Sequence, residues 1–262
     1  MDPDQIDAAA MLLAEARRQG TRINRLPEPC TPHSVADAHA IQDAVTGLLG
    51  LAVSGYKANG PRAGGTSAQP FAVEATRAPI YAPLTFASPV QVTGKDAPQR
   101  GVEAEVAFIF HRDLGPREEP YTRQEVAAAV DACAAIELVS DRFTDSGLAT
   151  FFERLADCVS NAGFVHAPAV TAWQHLDFTS IHVRLAVNDK VVVDQKGGHP
   201  TGDPLGVAVE LANMMRTSIG VRAGQFVTCG SYTGLRYLDP GDRCTVSFDG
   251  LGTVSVTFAG ET

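Results

Sequence analysis

The stretch Val102-Glu103-Ala104-Glu105-Val106-Ala107-Phe108-Ile109-Phe110 decides how this chain is read. With the period of two of a β-strand, Val102, Ala104, Val106, Phe108 and Phe110 form one wholly apolar face. The other face carries Glu103, Glu105, Ala107 and Ile109. Two carboxylates thus sit side by side at one end of a strand whose other positions are apolar. Like charges that close repel unless a cation binds or one of them protonates. The plain alternative is a solvated strand edge balanced by Arg100 or Arg112.

A third carboxylate shifts that balance. Glu137 lies inside Ala134-Ala135-Ile136-Glu137-Leu138-Val139, and a glutamate flanked by apolar residues is expected to be at least partly buried. A buried charge must be paired or bound to metal. The pairing alternatives are Arg142 and Lys57. Three glutamates with few nearby cations suit a hard divalent ion with oxygen ligands, Mg²⁺ or Mn²⁺, with octahedral positions left for water or substrate oxygens.

Around this strand the pattern is one of short β-branched runs. Val90–Val92, Ile181–Val187, Val191–Val193, Phe226–Thr228, Cys244–Phe248 and Thr253–Phe258 are bounded by Gly, Pro and Asp and read as strands. Two helices interrupt them, over about Thr122–Ala132 and Pro204–Ser218. Runs of strands with segregated helices mean an α+β fold. The first fifty residues read helical: Ile6 to Arg17 with a stop at Gly20, then a helix from the cap Ser34 through Val45. The expected organisation is a helical segment over 1–50 packed on one main domain over 51–262. Asn59 to Gln69, rich in Gly, Pro, Ser and Thr, reads as a long loop.

Composition narrows the function classes. The 262 residues are 45% hydrophobic and 19% charged, which excludes general disorder. The net charge is −9, with no basic stripe to neutralise a phosphate backbone, so nucleic acid is not an expected partner. No run reaches the ~18 apolar residues of a membrane helix. Ala8–Leu13 followed by Arg17 and Arg18 has the wrong order for a signal peptide. Five widely spaced cysteines (Cys30, Cys133, Cys158, Cys229, Cys244) make no C-x-x-C pair. They suggest neither a disulfide framework nor a zinc cage, and a reduced cytoplasmic setting is the simplest expectation.

Gly101 to Phe108, Ala135-Ile136-Glu137-Leu138-Val139-Ser140-Asp141-Arg142 and Ala156-Asp157-Cys158-Val159-Ser160-Asn161-Ala162-Gly163-Phe164 resemble the 2-keto-4-pentenoate hydratase and 4-oxalocrotonate decarboxylase group of the fumarylacetoacetate hydrolase superfamily. Ala38-His39-Ala40-Ile41-Gln42, Gly55-Tyr56-Lys57 and the tail from Pro204 to Val254 extend the resemblance over nearly the whole chain. It implies a mixed β-roll with peripheral helices, assembled as a homo-oligomer. It implies Glu103, Glu105 and Glu137 as ligands of Mg²⁺ or Mn²⁺. The implied substrate is a small anionic 2-oxo or 2-hydroxy-dienoic acid of aromatic meta-cleavage catabolism, and the expected reaction is hydration. The same electron sink would serve decarboxylation of a 2-oxo-enedioate, and a weakly active partner subunit of a hydratase–decarboxylase pair is a third reading.

Lys57 and Ser160 would line the pocket. Lys57 would hydrogen-bond the substrate or shuttle a proton, and as a base it would need a lowered pKa; a surface lysine is the alternative. Ser160 would donate to the substrate carboxylate, or else serve as a turn residue. The group's Asp-Glu-Pro-x-Phe-Gly segment is replaced here by Glu74-Ala75-Thr76-Arg77-Ala78-Pro79, with Thr76 or Arg77 at the acid/base position. Glu74 would supply the missing carboxylate, and Arg62 or Arg77 would read an extra anionic group. Arg142 is expected to pair internally, and His199 to be a solvated loop residue.

Overall fold

The computed structural model describes residues 1–66 and 69–260; over 62–66 and 69–73 it describes the backbone alone. The described residues contain five α-helices: α1 (Pro3–Gln19), α2 (Val35–Leu49), α3 (Arg123–Ala127), α4 (Phe151–Ala156) and α5 (Pro204–Met215). The strands are β1 (Val53–Asn59), β2 (Arg62–Thr66), β3 (Gln69–Val73), β4 (Thr76–Tyr81), β5 (Thr85–Ala87), β6 (Val90–Val92), β7 (Gly101–Phe110) and β8 (Val130–Val139), followed by β9 (Asn161–His166), β10 (His182–Val187), β11 (Lys190–Lys196), β12 (Phe226–Ser231), β13 (Arg236–Tyr237), β14 (Arg243–Phe248) and β15 (Gly252–Phe258). One mixed sheet runs β4-β1-β12-β7-β8-β9-β5, with β13 also on β7. A second runs β11-β10-β14-β15-β6.

The alternation of β7 decides the packing. Val102, Ala104, Val106, Phe108 and Phe110 are fully buried in the large core, with Val246 and Val254 of the second sheet and Leu211 of α5. Across the sheet, Ala107 packs with Ile80, Cys133, Ala135, Phe164 and Phe226 in a smaller core. The Phe164 and Phe226 rings stack there at 3.9 Å. Both faces of β7 are therefore inside the protein, and a carboxylate on either face is removed from bulk water.

The N-terminal helices cover the chain between β8 and β9. Ala9, Ala10 and Leu13 of α1 and Ala38, Ile41 and Val45 of α2 bury against Phe143, Leu155 and Ala156. Asp2 and Ser34 cap the two helices, each accepting from a first-turn N–H, which satisfies donors the helix itself cannot. Gln42, fully buried, donates to the Leu155 carbonyl, so α2 holds α4 in place.

Three local expectations are corrected. The helix read over Thr122–Ala132 is five residues long, and Val130 already begins β8. Only Val130, Asp131 and Ala132 of that stretch join the ten-residue ladder of β8 with β7, and this pairing ends the helix early. The segment read as a loop over Asn59–Gln69 contains most of the β2–β3 hairpin, with Arg62 opposite Val73. His199 is half-buried rather than solvated, with Nε2 2.7 Å from the Cys229 carbonyl. All five cysteines are free, and no helix among the described residues is long and apolar enough to cross a membrane.

Candidate metal centre and its cavity

Register brings the three glutamates together. Glu103 lies directly opposite Glu137 in the β7–β8 ladder, and Glu105 is two residues along on the same face. One carboxylate oxygen from each falls within 4.8 Å of the other two. Glu105 is 1% and Glu137 0% exposed. Neither Arg100 nor Arg112 answers them: Arg100 Nε donates to the Leu238 carbonyl and Arg112 to that of Glu125. The solvated-edge alternative is thereby removed.

The neighbouring strands supply fixed partners. A bulge in β12 between Thr228 and Ser231 turns the Gly230 N–H onto Glu105 Oε2 at 2.8 Å, alongside the Thr228 hydroxyl. Asn161 Nδ2, at the start of β9, donates to Glu137 Oε1 at 2.8 Å. Lys57 comes from β1, which pairs in parallel with β12 and places Lys57 beside Thr228. Its Nζ is 2.9 Å from Glu137 Oε2, and its side chain is 11% exposed. Of the two pairing alternatives for Glu137, the structure forms the one with Lys57. Arg142 pairs internally with Asp157, at 2.6 Å.

The electrostatics of the cluster ask for more positive charge. Burial pushes the Glu105 carboxyl up to about 8, reinforced by Glu137 and Glu103 against the opposing pull of Lys57. Burial and Glu137 push Glu103 up as well. Burial alone would lower the Lys57 pKa, but Glu137, Glu103 and Glu105 outweigh it and hold it above its ordinary value. One ammonium does not satisfy three buried carboxylates. Ser231 Oγ, buried and facing Glu103, closes no hydrogen bond of normal geometry. An acidic oxygen-only cluster with an unsatisfied hydroxyl beside it fits a hard divalent cation.

Glu103, at the edge of the cluster, lines a cavity of about 300 Å³ together with Lys57, Asp141 and Ser160 among its polar groups. Its far wall is the segment α4–Ser160. Thr150 and Glu153 form a reciprocal capping box on α4, and Glu153, fully buried, also holds Arg25 at 2.6 Å and the Leu26 N–H at 3.1 Å. Cys158, Val159 and Ser160 follow with φ of 58°, 49° and 63°. Three successive left-handed residues, one of them β-branched, store backbone strain on the order of 1–3 kcal/mol each. Surrounding contacts impose the turn: Arg142 and Arg17 donate to the Asp157 carbonyl at 3.0 and 3.2 Å. The Ser140 N–H reaches the Ser160 carbonyl at 2.8 Å. The turn presents the Val159 carbonyl to Lys57 Nζ at 3.4 Å and the Ser160 hydroxyl to Asp141.

Other expected site residues are not brought here. Arg77 lies opposite Ala58 in the β1–β4 ladder, whereas Lys57 lies opposite Ala78. Successive residues face opposite sides, so Arg77 is on the wrong side of the sheet, forked onto Asp43 of α2 with both contacts at 3.0 Å. Glu74 is exposed, just before β4 begins. It is four residues from Ala78, roughly 13 Å of extended chain. The side chain of Arg62 lies outside the described residues. Asp141, Ser231, Asn161 and Thr228 also belong to the site, and the sequence does not single them out. Asp141 was within reach, because it stands four residues from Glu137; the others depend on the β12 bulge and the turn before β9.

The model of the fumarylacetoacetate (FAA) hydrolase C-terminal domain matches residues 68–259. The chain is 30% identical to a 2-keto-4-pentenoate hydratase of Burkholderia vietnamiensis over 98% of both sequences. It is 27% identical to a 4-oxalocrotonate decarboxylase of Pseudomonas putida, again over 98% of each. Among solved structures, it resembles 4-oxalocrotonate decarboxylase from Pseudomonas putida G7 complexed with magnesium and adipate, with a TM-score of 0.79, 20% identity and 98% coverage of both chains.

Proposed function

The chain belongs to the fumarylacetoacetate hydrolase family, and on that premise we propose that it is a divalent-metal-dependent hydratase adding water to 2-hydroxy-2,4-dienoates, the enol forms of unsaturated 2-oxo acids. The observation that carries this reading is the Glu103–Glu105–Glu137 cluster, whose Glu103 lines a cavity together with Lys57 and Ser160. The hydratase relatives support the reaction, and the divalent ions named in solved relatives support the metal.

Held by the three glutamates, a divalent cation would act as a Lewis acid on the 2-oxo and carboxylate oxygens and draw electron density from the conjugated chain. The chain's own residues supply the rest. Asn161, Thr228 and the Gly230 N–H orient Glu137 and Glu105 before any ligand arrives, which is the preorganisation a metal site needs. Lys57 Nζ, 2.9 Å from Glu137 Oε2 and on the cavity wall, is placed to donate to a substrate oxygen. Val139, Phe151, Leu155, Val159 and Leu235 line the cavity and suit a planar hydrocarbon chain while limiting stray water.

Proton handling falls to Ser160 and Asp141. The Ser160 hydroxyl donates to Asp141 Oδ1, so its oxygen is left as an acceptor toward the cavity. A water held there has the carboxylate one hydroxyl away to take up its proton. This pair stands in for the carboxylate expected at Glu74. Proton transfer by a positioned side chain contributes typically 10²–10⁴-fold. Ser160→Ala is therefore expected to lower kcat about 10²-fold with little change in divalent-metal affinity, measured by steady-state kinetics beside a Mn²⁺ titration.

The reading as a whole is tested by mixing the protein with Mg²⁺ or Mn²⁺ and 2-hydroxypenta-2,4-dienoate. Metal-dependent loss of the diene absorbance with formation of 4-hydroxy-2-oxopentanoate is expected. Release of CO₂ from a 2-oxo-enedioate, with no hydration of any dienoate, would replace it with the decarboxylase reading.

A further inference from the structure

The peptide that joins Cys229 to Gly230 is held on both sides. Its N–H donates to Glu105 Oε2 at 2.8 Å. Its carbonyl lies 2.7 Å from Nε2 of His199. A trans peptide points its N–H and C=O in opposite directions, so the imidazole and the carboxylate grip one planar unit from opposite ends. The other ring nitrogen sets the sense of the bond. The Thr201 N–H, which can only donate, is 3.3 Å from His199 Nδ1. Nδ1 therefore accepts, and the ring proton stands on Nε2, aimed at the Cys229 carbonyl. Burial lowers the His199 pKa, which favours this neutral ring.

The loop after β11 that carries this imidazole is built onto the bulge. Gln195 Nε2 donates to the Tyr232 carbonyl at 2.8 Å, and the imidazole packs on the Tyr232 ring at 5.3 Å. A Cβ on Gly198 would come within 2.4 Å of that same carbonyl, so a side chain there would push the loop away. The bulge needs such a clamp. Gly230 has φ of 117°, a backbone region open to little but glycine. The same permissiveness lets a glycine peptide turn over. Turned over, the Cys229 carbonyl would face the Glu105 carboxylate, and one of its two donors from β12 would be lost.

We propose that His199 is a positioning residue of the metal centre: it locks the Cys229–Gly230 peptide, and through it aims Glu105 at the cation before the cation binds. The proposal rests on the reading of Glu103, Glu105 and Glu137 as metal ligands, and adds to it a residue from outside the strands that carry them. Hydrogen bonds in such a chain polarise one another. Partners that orient a ligand in this way govern metal affinity by roughly 10–100-fold.

The test is a calorimetric titration of the full metal-free chain with Mn²⁺, which needs no turnover. His199→Phe keeps a ring against Tyr232 and removes the donor. His199→Asn removes ring and donor together, because its amide stops short of the Cys229 carbonyl. His199→Gln reaches that carbonyl with an amide N–H. Mn²⁺ affinity is expected to fall roughly tenfold or more in His199→Phe and His199→Asn, and to stay within about twofold of native in His199→Gln. The metal-free thermal midpoint shows which variants fold, and where only one of the first two folds, it decides. Native affinity in a folded His199→Phe or His199→Asn overturns the proposal alone, as does an equal loss in His199→Gln. If neither His199→Phe nor His199→Asn folds, His199 is a structural residue and the proposal falls. Failure of the native chain to bind Mn²⁺ overturns the metal-site reading and the proposal with it.

Discussion

Glu105→Gln is expected to lower kcat/KM by about 10³-fold or more. Glu105 is the most constrained of the three glutamates: it accepts from Thr228 and from the Gly230 N–H and is buried against Glu137 and Lys57. A Gln there keeps the volume but removes the negative charge that a hard cation needs. Lewis-acid stabilisation supplies several kcal/mol, and about 4 kcal/mol corresponds to roughly 10³ in rate. Steady-state kinetics at saturating Mg²⁺ checks this, with the thermal midpoint measured alongside. The fold should persist, because removing one of three repelling buried carboxylates relieves the unloaded protein. A fall of less than tenfold would mean that Glu105 holds no catalytic cation.

Asp157→Ala is expected to destabilise the protein by about 3–5 kcal/mol, the usual cost of removing one partner of a buried ion pair. Asp157 is 1% exposed and receives Arg142 Nε at 2.6 Å, the Arg142 N–H at 3.1 Å and Arg17 at 3.4 Å. Its loss leaves two guanidinium groups buried without their counter-charge. It also weakens the scaffold of the left-handed turn, which begins at the next residue. At roughly 2–4 °C per kcal/mol for a chain of this size, the thermal midpoint should drop by about 10 °C. Denaturant unfolding gives the free energy directly. A loss below about 1 kcal/mol would show that water reaches the pair and that this acid does not anchor the turn.

How far the sequence reveals the site follows from which contacts are local. Glu103 and Glu105 share a strand face by simple alternation, and the apolar setting of Glu137 forecasts its burial. Lys57 enters as one of two pairing alternatives for Glu137 and, through the resemblance, as a pocket residue; the ion pair with Glu137 forms. Arg77 and Glu74 fail for a reason outside local sequence: the β1–β4 register puts Arg77 opposite Ala58 and carries Glu74 past the end of the pairing. The helix read over Thr122–Ala132 stops short because its last three residues, from Val130, are taken into the ten-residue ladder with β7. The capping box of Thr150 and Glu153 opens a helix only six residues long, which carries no periodicity to read. The sequence also lacks any sign of the strained turn at Val159, which exists because Arg17, Arg142 and Ser140 impose it from other elements.

The claim on which all of this depends is that the three glutamates hold a divalent ion. Crystals soaked in Mn²⁺ and oxalate, with anomalous diffraction recorded, test it most directly. One anomalous peak per chain is expected, bonded to Glu103, Glu105 and Glu137 at about 2.0–2.2 Å, with Lys57 Nζ displaced from Glu137 or shared with oxalate. No peak at that position under saturating Mn²⁺, with the three carboxylates and Lys57 unmoved, would contradict it.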